Sequence, residues 1–319
     1  MDSVTQAALG GAIGQAVLGK RIGAKAILAG ALVATIPDLD VFLRLLYSSY
    51  DMLRIHRGLS HSLVFGVVFG LMLGFIIKPF KPFRSVSILR LWWFSSLCLI
   101  THALLDYCTS YGTQLFLPFS DVRLGLDTVN VVDPVYTVPL LLGTFGGFFI
   151  PRLKPEMFRW NTIGLIASSC YLALTFTIKM NIHQRLKSEL AAERIEGNSF
   201  LAMPVGVAAI NWYGLTTTDA GIYMKKYSLL ADSDAPFKFF PRNDSLLNIL
   251  DPEVAATMRW FAKGFYTAES FGDTIRIYNL QVDMRGMLLD RDPPAPTHGF
   301  FEFKPSVEGG YEYGYGNLN

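Results

Sequence analysis

Charge is what this sequence has least of. Only 17% of its 319 residues are Asp, Glu, Lys or Arg, against about 25% in an ordinary soluble domain. Together with a mean hydropathy of +0.33, that deficit excludes a conventional water-soluble globule. The deficit is uneven: residues 1–180 are apolar and Gly-rich, whereas 181–319 carry ordinary charge and many aromatics. The net charge is only +2 and no basic stripe occurs, so no nucleic-acid partner is expected. Cysteine is scarce too. Cys98, Cys108 and Cys170 form no CxxC pair and lie in or beside apolar segments; they read as packing residues, neither a disulfide framework nor thiolate ligands. Met1-Asp2-Ser3 lacks a basic n-region, so no cleavable signal peptide is expected. Walker-type phosphate loops, dinucleotide fingerprints and an HExxH motif are also missing.

What is present is a series of apolar runs. A membrane span needs roughly 20 mainly apolar residues. Six segments are candidates: 4–18, 22–36, 62–77, 88–107, 135–150 and 162–180. The first two are short and read as a tilted pair or a re-entrant hairpin. Gly10, Gly11, Gly14, Gly19, Gly23 and Gly30 would let their backbones approach closely. The expected fold is an α-helical polytopic membrane domain over 1–180, followed by a soluble α+β domain over 181–319. Within the latter, 184–195 reads as a helix stopped by Gly197. Segments 207–215 and 221–229 read as a hairpin, and 258–268 with 274–287 as a second one. A loop is expected at 292–296, and Tyr311, Tyr313 and Tyr315 read as one face of a strand.

Lys and Arg in short loops set orientation. Lys20, Arg21 and Lys25 form one basic cluster, Lys78, Lys81, Arg84 and Arg90 a second, and Arg152, Lys154 and Arg159 a third. These three connections are expected in the cytoplasm. The connection 108–134 has a single basic residue, Arg123, and is expected outside. The connection 37–61 carries Arg44, Arg54 and Arg57, but alternation places it outside as well, together with the C-terminal domain. The expected location is the bacterial inner (plasma) membrane, multi-pass, with the chemistry and the C-terminal domain facing the periplasm or exterior.

That chemistry is carried by three of only five histidines, all near carboxylates and all at segment ends on the expected outer face. The three elements are Pro37-Asp38-Leu39-Asp40, His56-Arg57-Gly58-Leu59-Ser60-His61-Ser62, and His102-Ala103-Leu104-Leu105-Asp106. His102 and Asp106 are four residues apart and share one helix face. Asp38 and Asp40 follow a proline at a helix end. His56 and His61 flank a Gly turn, with Ser60 placed to cap the next helix. Taken singly, each feature is ordinary: an HxxxD arises by chance, an Asp at a helix end is usually a cap, and a His at a boundary is usually an anchor. Ionisable groups in membrane segments are costly, however, and their shared face favours a common site. Mixed His and Asp donors suit zinc, or manganese or iron, as one or two divalent ions. The expected ligands are Asp38, His56, His61, His102 and Asp106. Asp40, with Asp38, is expected to be catalytic, one binding metal and the other activating water. Asp133, before Pro134, reads either as a helix cap or as a group orienting a ligand histidine. Arg57 and Arg123 are candidate phosphate contacts. His183 and His298 read as surface residues.

The blocks PDLD at 37–40, HRGLSHS at 56–62 and THALLDYCTSYGTQLFLPFS at 101–120 resemble, in order and spacing, those of the LexA-regulated inner-membrane metal-dependent hydrolases, the YdjM-like family. The resemblance covers roughly residues 1–150 and implies a helical membrane domain, a metal and hydrolase activity. Many members carry a histidine near the N-terminus where this chain has Gln6, which can still hydrogen-bond a water at the site. The order Asp, His, HxxxD is also similar to the zinc site of phospholipase C and related single-strand nucleases. The leading expectation is a membrane-bound metal-dependent hydrolase at the outer membrane–water interface. The cation would lower the pKa of a water that attacks an ester or phosphoester of a lipid or lipid-linked substrate, with membrane lipids as partners. The alternative is a metal-binding membrane regulator or transporter without hydrolytic activity; a third reading makes the helices an anchor for an external binding domain. No partner for the C-terminal domain is legible.

Overall fold

The computed structural model describes residues 1–149, 155–231, 235–281, 300–306 and 311–316. Arg152, Lys154, positions 282–287 of the strand expected at 274–287, the expected loop at 292–296 and His298 lie outside the described residues. The chain divides into two compact units, residues 1–126 with 131–174, and residues 127–130 with 175–319.

The first unit is built from helical hairpins. Helix α1 (Ser3–Ile22) starts at Asp2, whose carboxylate accepts the Val4 and Thr5 amides and so satisfies two otherwise orphaned donors. Gly23, at φ 64°, ends it, and α2 (Lys25–Ala34) runs back. The two helices nearly touch backbone to backbone. A Cβ on Gly14 would overlap the Ala26 carbonyl oxygen, and one on Gly30 that of Gly10. A 3-10 helix (Pro37–Leu45), the single turn α3 (Met52–Ile55) and a 3-10 turn (Leu59–His61) follow. Helices α4 (Leu63–Ile77) and α5 (Ile88–Tyr107) pair antiparallel, with Gly66 against Ile100, Gly70 against Ser96 and Gly74 against Trp92. Helices α6 (Pro134–Phe149) and α7 (Pro155–Ala192) do the same, with Gly164 on the Pro139 carbonyl and Ser168 Oγ donating to Tyr136 O at 2.8 Å.

Among the described residues, two helices, α5 and residues Phe158–Ala192 of α7, are each long and apolar enough to cross a membrane; the count rises to four if two bent pairs each form one span. The pairs are α2 with Pro37–Leu45, bent by 48°, and Met52–His61 with α4, bent by 58°. Of the six expected segments, 88–107 and 162–180 lie in these two helices, and 22–36 and 62–77 in the bent pairs. Helix α1 is 20 residues long, but Gln6, Gln15 and its glycines dilute its apolar character, and both glutamines are buried. Ser95, Ser96 and Asn161 are likewise buried, while Val68, Met72, Phe75, Leu142 and Ile166 are exposed. Polar inside and apolar outside is the pattern of helices solvated by lipid.

In the second unit, the end of α7 packs Ile182, Leu186 and Leu190 against Ala202, Trp212 and Tyr227 of an antiparallel sheet. Its strands are β1 (Ser199–Val205), β2 (Asn211–Thr217), β3 (Gly221–Ser228) and β4 (Lys238–Pro241), in that order. The strand expected at 207–215 therefore divides: 206–210 is a turn, and β1 precedes it. Pro204 hides β1 in the sequence, since proline argues against a strand, but β1 is an edge, where proline is tolerated. Helices α8 (Asp244–Leu247) and α9 (Pro252–Ala262) lead to a second antiparallel sheet, β5 (Tyr266–Phe271), β6 (Thr274–Asn279), β7 (Phe300–Pro305) and β8 (Tyr311–Gly316). Residues 258–262, expected in a strand, are helical. Asp251 caps α9 through the Glu253 amide, and Pro252 occupies the first turn, a start strong enough to carry the β-prone residues that follow. The helix expected at 184–195 is the continuation of α7.

Candidate metal centre

Four side chains converge at the end of α5. Asp38 comes from the 3-10 helix, His61 from the turn before α4, and His102 and Asp106 from one face of α5; their donor atoms all lie within 4.8 Å of one another. His61 Nε2 is 3.1 Å from His102 Nε2, 3.3 Å from Asp106 Oδ2 and 3.6 Å from Asp38 Oδ1. His102 Nε2 is 3.4 Å from Asp38 Oδ1 and 3.8 Å from Asp106 Oδ2. His61, His102 and Asp106 are fully buried; the Asp38 side chain is 20% exposed and forms the open side.

Hydrogen bonding on the outside of the group decides what the inside can do. His102 Nδ1 lies 2.6 Å from the Ala34 carbonyl oxygen, which only accepts, so Nδ1 carries the proton and Nε2 a lone pair. Ser60 Oγ donates to Asp40 Oδ2 at 2.9 Å and lies 2.9 Å from His61 Nδ1. With its own proton committed, Ser60 accepts from His61 Nδ1, which leaves a second lone pair on His61 Nε2. Two lone pairs and two carboxylates then face one point. Asp106 Oδ2 is buried there without a hydrogen bond, although Arg57 Nε approaches to 3.1 Å. Asp106 Oδ1 accepts from Gln6 Nε2 at 3.1 Å and from the Met1 amino group. Two imidazole nitrogens and two carboxylate oxygens, with each imidazole fixed through its other nitrogen, fit a divalent cation.

The other expected residues surround this group. His56 is not among the four; its Nδ1 is 2.8 Å from Asp40 Oδ1, and its side chain is 30% exposed. Asp40 Oδ2 also accepts the Arg57 amide at 3.2 Å, so Asp40 ties His56 and Ser60 together rather than entering the cluster. Arg57 has φ 58°, a conformation uncommon without glycine. That kink aims its guanidinium at Asp106 and, through Nη1, at Thr109 Oγ1 2.8 Å away. Arg57 and Arg123 both stack on the Tyr111 ring, at 4.8 and 4.6 Å. Burial brings the Arg123 pKa down to about 10 although Tyr111 opposes it, so it remains a cation at neutral pH. Gln6 lies against the site, also donating to His102 O at 3.2 Å. Asp133 accepts from Val135 N and from the Tyr171 hydroxyl, at 3.0 and 2.7 Å, so it caps α6 and steadies α7 away from the histidines. Ser62, not Ser60, caps α4. Thr109 and Tyr111, inside the THALLDYCTSY run, are contacts that spacing alone does not single out; the Ala34 carbonyl has no sequence signal at all. His183 belongs to the second unit, edge-on to Phe200.

Apolar helices that bury their polar residues around a His/Asp cluster define a membrane protein with a prospective metal centre. The chain belongs to the YdjM inner membrane protein family, whose family model matches residues 1–182. It is 35% identical over 122 residues to the inner membrane protein YbcI of Escherichia coli (strain K12), covering 38% of this chain and 69% of YbcI. It is 31% identical over 141 residues to Uncharacterized protein YfhP of Bacillus subtilis (strain 168), covering 42% of each. The chain thus spans less than half the length of YfhP. No solved structure matches it.

Proposed function

We propose that this protein is a metal-dependent hydrolase acting at the outer membrane–water interface on an ester or phosphoester of a lipid or lipid-linked substrate. The observation that carries this reading is the convergence of two outwardly anchored Nε2 atoms and two carboxylates on one point, with only Asp38 opening to the surroundings. A divalent cation held there, zinc by preference and manganese or iron by the same donor set, would supply a Lewis acid and a water of lowered pKa. The Ala34 carbonyl and Ser60 keep the imidazoles from turning, and Arg57 and Gln6 hold Asp106. Both Asp40 oxygens already accept hydrogen bonds, so Asp40 acts through His56. It orients the Nδ1 proton and leaves Nε2 of this partly exposed side chain to take up a proton. His56, expected as a ligand, is thereby the base in this reading, and Asp40 its orienting partner. Lipid is favoured because the chain beside Asp38 and Asp40 exposes Leu39, Phe42, Leu45 and Leu46, an apolar rim suited to acyl chains.

The test is elemental analysis of the purified full chain, followed by hydrolysis of a panel of phospholipids and carboxylic esters with and without chelator. Bound metal, activity lost on chelation and activity restored by the metal are expected. Stoichiometric metal with no turnover across the panel would favour the regulator or transporter reading; no metal would remove both.

A further inference from the structure

We propose that the second unit rests on the bilayer through one end of its first sheet, with Val207, Leu229 and Leu230 dipping into the headgroup region. This rests on α7 being a membrane span. Residues 160–178 contain no charged residue, and Arg159 and Lys179 bracket them. Nineteen helical residues rise about 28 Å, close to the roughly 30 Å hydrocarbon thickness. Lys179 therefore marks the level at which α7 leaves the membrane.

The sheet reaches that level by a short buried link. Lys179 Nζ pairs with Asp127 Oδ2 at 3.2 Å. Three residues further on, Asn130 Nδ2 donates to the Gly206 carbonyl at 2.7 Å, and Thr128 and Val129 between them are buried. Gly206 begins the turn between β1 and β2. The register puts Val205 opposite Asn211 and Asn211 opposite Ser228, and the Leu229 amide donates to Ile210 O at 3.0 Å. The turn at 206–210 and the exit from β3 thus form one tip. Val207 is 60% exposed there and Leu230 81%, with Leu229 also exposed. Phe176 and Met180, flanking Lys179 on α7, are exposed as well. The opposite tip is polar: Asp219 is exposed in the β2–β3 turn, and Arg242, Asn243 and Asp244 follow β4, with the exposed Phe239 set back within β4. Three large aliphatic side chains clustered at the tip nearest the exit of a span, and polar groups at the far tip, match the two sides of a membrane surface. The consequence is a second anchor point that holds the sheet upright on the lipid.

Nitroxide labels at Val207→Cys, Leu230→Cys and Asp219→Cys test this in the full chain, with Cys98 replaced by Ala and Cys108 and Cys170 by Ser, reconstituted in phospholipid vesicles. All three positions are at the surface, so the labels do not disturb the core. Dissolved oxygen should relax the labels at 207 and 230 more than a polar nickel chelate does, with the order reversed at 219. A nickel chelate that reaches 207 and 230 as freely as 219 would overturn the proposal. So would shielding of 207 and 230 from both reagents, which would mean that protein, not lipid, covers the tip. A label at Phe176→Cys, within the apolar stretch, must favour oxygen. If it does not, α7 is not a span and the premise fails separately.

Discussion

Two imidazole nitrogens 3.1 Å apart, both bearing lone pairs, repel unless a cation lies between them. His61→Ala and His102→Ala should therefore each abolish stoichiometric metal binding by elemental analysis, while His183→Ala, in the second unit, should leave it unchanged. Ser60→Ala removes only the group that fixes His61 and should weaken metal affinity by about 10–100-fold. The two aspartates of PDLD should separate cleanly. Asp38→Asn should cost metal and activity together. Asp40→Asn should keep the metal and lower turnover by roughly 10²–10⁴-fold, and His56→Ala should resemble it. Because Asp40 acts through His56, the double variant should be no worse than either single one; additive losses would show that the two residues act separately. Asp106 is a poor target, because its removal leaves Arg57 buried without its carboxylate partner, a change that destabilises by about 3–5 kcal/mol. At this scale the sequence shows the residue types and their grouping, since His and Asp are rare in apolar surroundings. It does not show which His faces inward. That depends on Ser60 and the Ala34 carbonyl, and a backbone oxygen carries no residue-specific signal.

At the scale of elements, the α1–α2 hairpin positions the centre without supplying a ligand. It delivers the Ala34 carbonyl to His102 and Gln6 to Asp106, and it does so only because the helices touch at Gly10, Gly14 and Gly30. Gly30→Val should force them apart. Overpacking of this kind costs about 1–3 kcal/mol or more, so a lowered Tm in detergent is expected, together with lost metal although no ligand has changed. Gly146→Ala serves as the control, since its Cβ would meet only Trp160 at 3.5 Å, an ordinary contact. A variant at Gly30 that keeps both Tm and metal would detach the hairpin from the site. The glycine stripe made this close packing legible from sequence. The strands were less so, because β1 contains Pro204 and α9 ends in Trp260 and Phe261, residues common to strands. In both, position decided against propensity, an edge in one and a capped start in the other.

For the first unit as a whole, the centre and the basic turns lie at opposite ends. Helices α1 and α2 meet near Gly23, beside Lys20 and Arg21; α4 and α5 are joined through Lys78, Lys81 and Arg84. The pairings Gly66–Ile100, Gly70–Ser96 and Gly74–Trp92 fix α4 and α5 antiparallel, so His61 and His102 share the end away from Arg84. Bonds from Gln6 to His102 and from His102 to Ala34 bring the open ends of α1 and α2 to that same end. In each antiparallel hairpin the turn and the open ends therefore lie at opposite ends of the helices. Basic turns stay in the cytoplasm; at the centre's end the connection after α5 has only Arg123, which is buried, and that before α4 has Arg44, Arg54 and Arg57, the last buried against Asp106. The centre should therefore face away from the cytoplasm. A cysteine at Ser120, with Cys108 and Cys170 replaced by Ser, should react with a membrane-impermeant maleimide added to intact cells. One at Arg84, which is exposed at the opposite end, should react only after the cells are opened. Labelling of Arg84→Cys but not Ser120→Cys in intact cells would reverse the polarity. It would put the centre in the cytoplasm, leaving its ligand geometry intact but withdrawing the periplasmic or exterior substrate.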